Sequence, residues 1–432
     1  MVFGVLSAAA TSPLVVPESV LDEAAERVKV YVYKERGKKP SLGEPSGRIY
    51  WQLEGRLVRG LPRTSKASEA THFWIPHALM AHWRPPSTEA RARLESYYRR
   101  RLRPTLEKVL NKLPYFNKSR DAHLFAYAYD LGPVCEAEGS ILDDPLFQQV
   151  VHGSRVVGYH ARDAAFDDSL AASVPRFGRR PKLRFGARRS CWGARDVAVP
   201  QFNKFHARGF SDGTTEAARG EDGKWVARLV REAKRRKATF FFRGQIVTGR
   251  CSATVRFWLA RYCATRPWCA SDGDARSAVF APAPGGWGCW SSRFYDAVDA
   301  VTIPVRLADG LVEPFARLLN YSAFVRTLET GGDRETLDSD GLAAAFDAMH
   351  AEATAWRRDC AAAASSSDDD LCLSNPLSRT MRALALARPF LGWDDRRHAG
   401  RNAFALFLAD LYLRHNRSSS SLPMASRARQ FL

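Results

Sequence analysis

One stretch of this chain gathers the residue types that bind a diphosphate. Pro284-Gly285-Gly286-Trp287-Gly288-Cys289-Trp290 follows a short apolar run and leads into Ser291-Ser292-Arg293, then Phe294-Tyr295-Asp296-Ala297. Glycines let a backbone come close to a ligand. The free N–H groups and dipole of a helix start favour a phosphate. Ser291 and Ser292 are good capping residues, and Arg293 offers a forked pair of charged donors. Asp296 stands about one turn along, where a carboxylate could accept from ribose hydroxyls. In outline this is a nucleoside-diphosphate site. Read locally, the same residues also fit a Gly-rich turn before an ordinary capped helix.

The elements that must position these residues alternate. Short apolar runs at Val28–Tyr33, His72–Pro76, Leu124–Tyr129, Asp196–Pro200, Ala238–Phe242, Ala278–Ala281 and Thr302–Leu307 read as buried strands. Helical patterns cover Trp51–Leu61, Glu89–Leu113, Trp225–Arg236, Ser252–Cys263, Arg293–Ala300, Gly341–Arg358 and Asn402–His415. That order is the signature of α/β architecture with parallel sheets, and the two halves read as similar folds in series. Phe202–Lys224 is expected to be the linker. The expected division is an N-terminal segment 1–24, domains 25–215 and 216–415, and a disordered tail 416–432.

Composition narrows the partners. The chain has 432 residues, with 65 Lys plus Arg against 46 Asp plus Glu and a net charge of +19. A basic field favours an anionic partner. However, only 13 of the basic residues are Lys. The Arg-and-Ala bias has the character of GC-rich codon usage, and the clusters Arg99–Arg101 and Lys234–Lys237 read as solvated helix faces. No nucleic-acid motif accompanies the charge, so nucleic acid is not an expected partner. The eight Cys form no C-x-x-C pair, against zinc. Cys360 and Cys372 flank a segment of Ala, Ser and Asp read as a disordered loop, and a bridge across it is expected. Three Asn-x-Ser triplets and the small-residue N-terminus with Ala8–Ala10 lean toward a secretory route.

Taken in order from Val28 to Arg414, these pieces resemble the exostosin-type glycosyltransferases, the group that includes heparan-sulfate exostosins and plant xyloglucan galactosyltransferases. Val28–Tyr33 is similar to the opening "K-I-Y-V-Y" strand, and Glu69–Pro76 to "E-E-A-D-L-F-F-V-P". Pro114–His123 resembles "P-Y-W-N-R-S-G-G-R-D-H", followed by Asp130-Leu131-Gly132-Pro133 for "H-D-W-G". Arg195–Pro200 resembles "K-D-V-V-I-P", and Phe240–Gly244 "F-F-R-G", with Val255-Arg256 downstream. Ser291–Ala297 is similar to "S-x-R-L-x-D-A", and Glu313-Pro314-Phe315 with Leu319–Phe324 to "L-P-F…L-D-W-x-x-F". The family's "G-C" before Ile303-Pro304-Val305 is here Val301-Thr302, and its "H-D" is Tyr129-Asp130.

The resemblance implies the GT-B fold, two Rossmann-like domains facing across a cleft, with the nucleotide sugar held by the C-terminal half. It implies inversion with one general base, no obligatory metal, and Golgi or secretory-lumen residence, with an N-terminal membrane anchor missing or weak in this chain. No cofactor is expected; the donor is expected to be a UDP-sugar and the acceptor a glycan or glycoprotein. The donor-side residues are Arg243, Gly285, Gly286, Ser291, Ser292, Arg293 and Asp296. The base candidates are Asp130, Glu136 and Glu138, with His123 at the head of the same strand; Asp130 is preferred because a strand end in an open α/β sheet holds a group at the ligand edge. Asp272-Gly273-Asp274 and Asp338-Ser339-Asp340 follow no apolar run and are read as polar loops rather than metal sites. The alternative is a catalytically inactive member of the fold that binds acidic glycans.

Overall fold

The structure, a computed structural model, describes residues 12–33, 52–76, 95–111, 115–116, 119–127, 141, 144–158, 161–162, 196–200, 214–220, 222–244, 253–285, 291–307, 311–330, 337–366, 369–393 and 401–419. The helices are α1 (Ser19–Arg27), α2 (Gln52–Gly60), α3 (Arg103–Asn111), α4 (Pro145–Gly153), α5 (Thr214–Arg219), α6 (Asp222–Arg235), α7 (Ala253–Ala264), α8 (Ser292–Asp299), α9 (Ser339–Ser366), α10 (Asp369–Ser374), α11 (Pro376–Ala387) and α12 (Ala403–Ser419). The strands are β1 (Val30–Val32), β2 (Arg63–Thr64), β3 (His72–Trp74), β4 (His123–Ala126), β5 (Arg155–Gly158), β6 (Ala161–Arg162), β7 (Val197–Ala198), β8 (Ala238–Phe241), β9 (Cys269–Ala270), β10 (Ala278–Pro284), β11 (Ile303–Leu307), β12 (Leu311–Val312) and β13 (Arg326–Thr327).

The protein is α/β with two parallel sheets. The first has the order β2-β1-β3-β4-β5-β7 and the second β13-β11-β10-β8-β9. Every pairing within both sheets is parallel. Read from β9, the second sheet runs second strand, first, third, fourth, fifth, and the first sheet begins in the same way. This is a doubly wound order, whose ligands sit beyond the carboxyl ends of the strands where the order reverses. In the second sheet that point lies between β8 and β10.

Alternation explains the layers. On the first sheet Phe73, Phe125 and Val156 enter one cluster with Leu102, Leu106 and Val150 of the flanking helices. Trp74, Leu124 and Val157 face the other way. They join a cluster that continues through Val279, Phe280, Ile303 and Val305 of the second sheet to Phe346, Trp356 and Leu406. One apolar core therefore runs through both halves.

Further contacts tie the halves together. β12 pairs antiparallel with β6. The Phe315 N–H donates to the Ala198 carbonyl at 3.3 Å. Leu14 bridges to Leu319, and α1 packs along α12. Trp393 Nε1 donates to the Pro200 carbonyl at 2.9 Å.

Several expectations need correction. The segment after Cys360 is not a loop: α9 continues to Ser366 and α10 spans Asp369–Ser374. Alanine is the strongest helix former, and the run was misread for its low complexity. The expected bridge does form, with Cα atoms 4.5 Å apart, and Cys263–Cys269 forms a second. Within the expected linker, α5 and the start of α6 are helical, and the Thr215 hydroxyl donates to the Ala385 carbonyl at 3.2 Å. The expected tail begins inside α12, which extends to Ser419. Residues 13–24 are part of the fold through the Leu14 bridge and α1.

Arg236 is not on a solvated face. It is 1% exposed. It donates to Glu232 Oε2 at 2.9 Å, to the carbonyls of Ala278 and Ala300 at 2.7 and 3.2 Å, and to Thr302 Oγ1 at 2.9 Å. This clips α6 to the amino ends of β10 and β11. Arg99, Arg100 and Arg101 are exposed, as expected. Among the described residues no helix is long and apolar enough to cross a membrane.

Candidate functional site

Arg243-Gly244 follows β8 and Gly285 follows β10, so both lie at the carboxyl edge where the strand order reverses. α8 begins beside them. Ser291 is extended at its N-cap (φ −138°, ψ 127°), and its side chain makes no capping bond. The Ser291 hydroxyl is buried and has no hydrogen-bond partner among the described residues. An unpartnered buried hydroxyl costs roughly 1–3 kcal/mol, so this position asks for a ligand atom or a water.

Arg293, in the first turn of α8, reaches back across the edge. Its Nε donates to the Arg243 carbonyl at 2.5 Å. Its guanidinium lies against Gly244, where an added Cβ would stand 3.0 Å from Nη2 and 3.1 Å from Cζ. The glycine of "F-F-R-G" thus makes room for the arginine of the helix start. Ser292 and Asp296 lie on the half-buried face of the same helix, while Tyr295 is fully buried.

Arg256 of α7 completes the arrangement. It is fully buried. Nε donates to the Gly285 carbonyl at 3.0 Å, and Nη2 donates to the carbonyls of Pro284 and Gly285 at 3.0 and 2.8 Å. It fixes the end of β10 and the first glycine of the turn from beneath. The sequence reading noted Arg256 only as part of a motif. Its partners at Pro284 and Gly285 lie 28 and 29 residues further along the chain, so no local signal marked it.

Of the donor-side residues, Arg243, Gly285, Ser291, Ser292, Arg293 and Asp296 are brought to one edge; Gly286 lies outside the described residues. Asp130, Glu136 and Glu138 also lie outside them. His123 is described and is packed in the interior. Its Nε2 meets the Tyr33 hydroxyl at 2.8 Å and its Nδ1 the Ser119 carbonyl at 2.9 Å. Its ring stacks on Phe73 and Tyr33 and meets Phe116 edge-on. Burial lowers its pKa to about 4. Both nitrogens are occupied, so the ring holds β4 to its neighbours.

One carboxylate that the sequence marks only as part of a motif is buried. Glu313 is buried in the segment that crosses between the sheets. It pairs with Arg306 at 3.1 Å, and its Oε2 has no partner among the described residues. Burial pushes its carboxyl up, against the pull of Arg306. Phe315 two residues on has φ +53°, a strained conformation for an aromatic residue. Asp274 accepts from the Arg276 N–H at 2.9 Å, in a turn before the amino end of β10, and Asp338 accepts from the Gly341 N–H at 2.8 Å at the start of α9. Neither pair stands at the ligand edge.

Two parallel sheets of one winding order, with arginines and a helix start gathered at the reversal point, define a doubly wound α/β protein of Rossmann type. Sequence comparison adds one finding: the model of the Exostosin GT47 domain matches residues 184–330. The matched stretch spans β7 to β13 and contains every described residue of the candidate site. Over it the chain is exostosin-like, the domain of a glycosyltransferase family. No curated protein matches the chain.

Proposed function

We propose that the protein transfers a sugar from a nucleoside-diphosphate donor, a UDP-sugar, to a hydroxyl of a glycan or glycoprotein acceptor. The observation that carries this reading is the pairing of Arg293 with the orphaned Ser291 hydroxyl at the start of α8, within the exostosin-like stretch. The diphosphate would lie over the N–H groups of α8. Arg293 would neutralise the charge that develops as the sugar–oxygen bond breaks, with Ser291 donating to a phosphate oxygen. Asp296 would take the ribose hydroxyls. Arg243, exposed beside the edge, would add a second positive charge.

The reaction is proposed to invert the anomeric carbon in one displacement. A base on the N-terminal half removes the acceptor proton as the hydroxyl attacks. Asp130 is the proposed base, with Glu136 and Glu138 as its rivals. Two cationic groups and a helix start serve the leaving diphosphate, so no divalent ion is assigned a role. The two halves are proposed to face across a cleft, and the protein to act in the Golgi lumen, as exostosins do.

Calorimetric titration with UDP, followed by a screen of UDP-sugars with labelled acceptors in EDTA or manganese, tests the reading. UDP binding with turnover that is equal in both media is expected. Absence of UDP binding would leave the inactive glycan-binding reading in its place. A strict manganese requirement would overturn the metal-free mechanism.

A further inference from the structure

The three Asn-x-Ser triplets of the sequence are not equivalent in the fold. Asn117 lies outside the described residues, and Asn416-Arg417-Ser418 is part of α12. Asn320-Tyr321-Ser322 stands in the segment that leaves β12 and returns to the second sheet at β13. Asn320 immediately precedes the short helical turn Tyr321–Ala323, and Ser322 is exposed.

The polar groups of Asn320 are committed to the fold with one exception. Its N–H donates to the Pro13 carbonyl at 2.8 Å, and its carbonyl accepts from the Ala323 N–H at 3.1 Å. Its side-chain Oδ1 accepts from the Ser322 hydroxyl at 2.6 Å, a local contact that short polar side chains favour in turns. The amide nitrogen is left over and has no hydrogen-bond partner among the described residues. Unlike the Ser291 hydroxyl, it is not sealed from solvent.

A hydroxyl two residues beyond an asparagine is the feature read when an oligosaccharide is attached to the asparagine amide. Attachment replaces one amide N–H by a bond to a sugar carbon. At Asn320 that leaves Oδ1, the backbone N–H and the backbone carbonyl with their native partners, so no native hydrogen bond is lost. The surface beside it is open. The Val15 N–H donates to the Leu318 carbonyl at 2.9 Å, and Leu14 bridges to Leu319. The segment Pro13–Val15 therefore runs alongside the triplet, and its Val15 is 60% exposed. Ala316 and Arg317 are exposed as well. A sugar on Asn320 would extend over this surface and cover apolar Val15.

We infer that Asn320 is an N-glycosylation site and carries an oligosaccharide on its amide nitrogen. The inference rests on the proposed lumenal residence, because the co-reactant, an oligosaccharide linked to a polyprenyl diphosphate, is supplied there. In the transfer the amide nitrogen bonds to the anomeric carbon, and the bond from that carbon to the diphosphate oxygen breaks. One amide proton passes to a base of the transferase, and the polyprenyl diphosphate leaves. Transfer acts on the extended chain, and the fold then keeps the glycosylated nitrogen at the surface.

The test is expression of the full chain behind a cleavable secretion leader in a eukaryotic cell line. Enzymatic glycan release in heavy-oxygen water, followed by peptide mass spectrometry, converts each glycosylated asparagine into a heavy-oxygen aspartate. Position 320 should carry that label in the greater part of the secreted chain. Asn320→Gln and Ser322→Ala should each lose the mass of one glycan, whereas Ser322→Thr, which keeps the hydroxyl, should retain it. Ser322 is exposed, so its substitution tests the site without disturbing the core. The leader supplies entry to the lumen, so a missing glycan would count against the site rather than against the residence. UDP titration of the same protein reports separately on the donor site. An unlabelled position 320, label confined to Asn117 or Asn416, or unchanged glycan mass in Ser322→Ala would overturn the inference.

Discussion

Replacing Arg293 by Ala gives the sharpest prediction for the proposed donor site. Nε is committed to the Arg243 carbonyl at 2.5 Å, which holds the guanidinium against Gly244. The side chain is thereby oriented before any ligand arrives, so little rotamer entropy is left to lose on binding. A charge-assisted bond of this kind contributes about 1.5–3 kcal/mol. At about 1.4 kcal/mol per factor of ten, UDP affinity should fall roughly ten- to hundredfold. The fold should hardly notice. Arg243 is exposed, so water can replace the lost donor on its carbonyl, and the cost should stay below about 1 kcal/mol, or a few degrees in Tm. Arg293→Lys keeps the charge but not the planar fork and should lie between wild type and Ala. The assay is UDP titration by calorimetry beside a thermal melt. UDP bound by Arg293→Ala within about twofold of wild type would refute the placement of the diphosphate.

Four other outcomes are expected. Gly244→Ala crowds the Arg293 guanidinium at 3.0–3.1 Å and should weaken UDP binding by about tenfold with a smaller effect on stability, read in the same two assays. Arg236→Met removes the charged donor from the carbonyls of Ala278 and Ala300, while Glu232 keeps Arg228 and Arg235, and should cost about 1–3 kcal/mol in denaturant unfolding. Burial lowers the folded pKa of His123 from 6.5 to about 4. Its contribution is therefore fully present above pH 6.5 and is lost as pH falls toward 4, a change of roughly 3 kcal/mol; His123→Phe should flatten that part of a stability-versus-pH curve. Asp130→Asn should lower turnover by about a hundredfold and leave UDP affinity unchanged.

What could be read from residues alone followed periodicity. The apolar runs at 72–76, 238–242 and 302–307 announced β3, β8 and β11, because buried parallel strands are nearly all apolar. The turn ending in Ser291-Ser292-Arg293 announced the candidate site, because strand, glycines and helix start are contiguous in the chain. Elements whose cues are short were passed over. β5 is four residues long, and α4 and α11 are signalled chiefly by Asp144-Pro145 and Asn375-Pro376, in which a capping residue precedes proline. Burial of a charge was the least legible feature. Arg236 stands in a run of four basic residues, and nothing local separates it from its exposed neighbours. Arg256 and Glu313 acquire their partners 28 and 7 residues away, from contacts that only the folded chain creates.

The apolar core that runs through both sheets bears on how the chain can be divided. Within the exostosin-like stretch, β8, β10 and β11 bury Phe240, Phe280 and Ile303 in a cluster completed by Phe346, Trp356, Leu384 and Leu406. Those four residues belong to α9, α11 and α12, all beyond position 330. Excised as residues 184–330, the stretch would carry the donor-site residues and lack the walls that shelter their sheet. The segment by which the family is detected is therefore not an autonomous folding module. An insertion, a splice variant or an expression clone that ends near 330 should yield insoluble chain rather than a minimal enzyme.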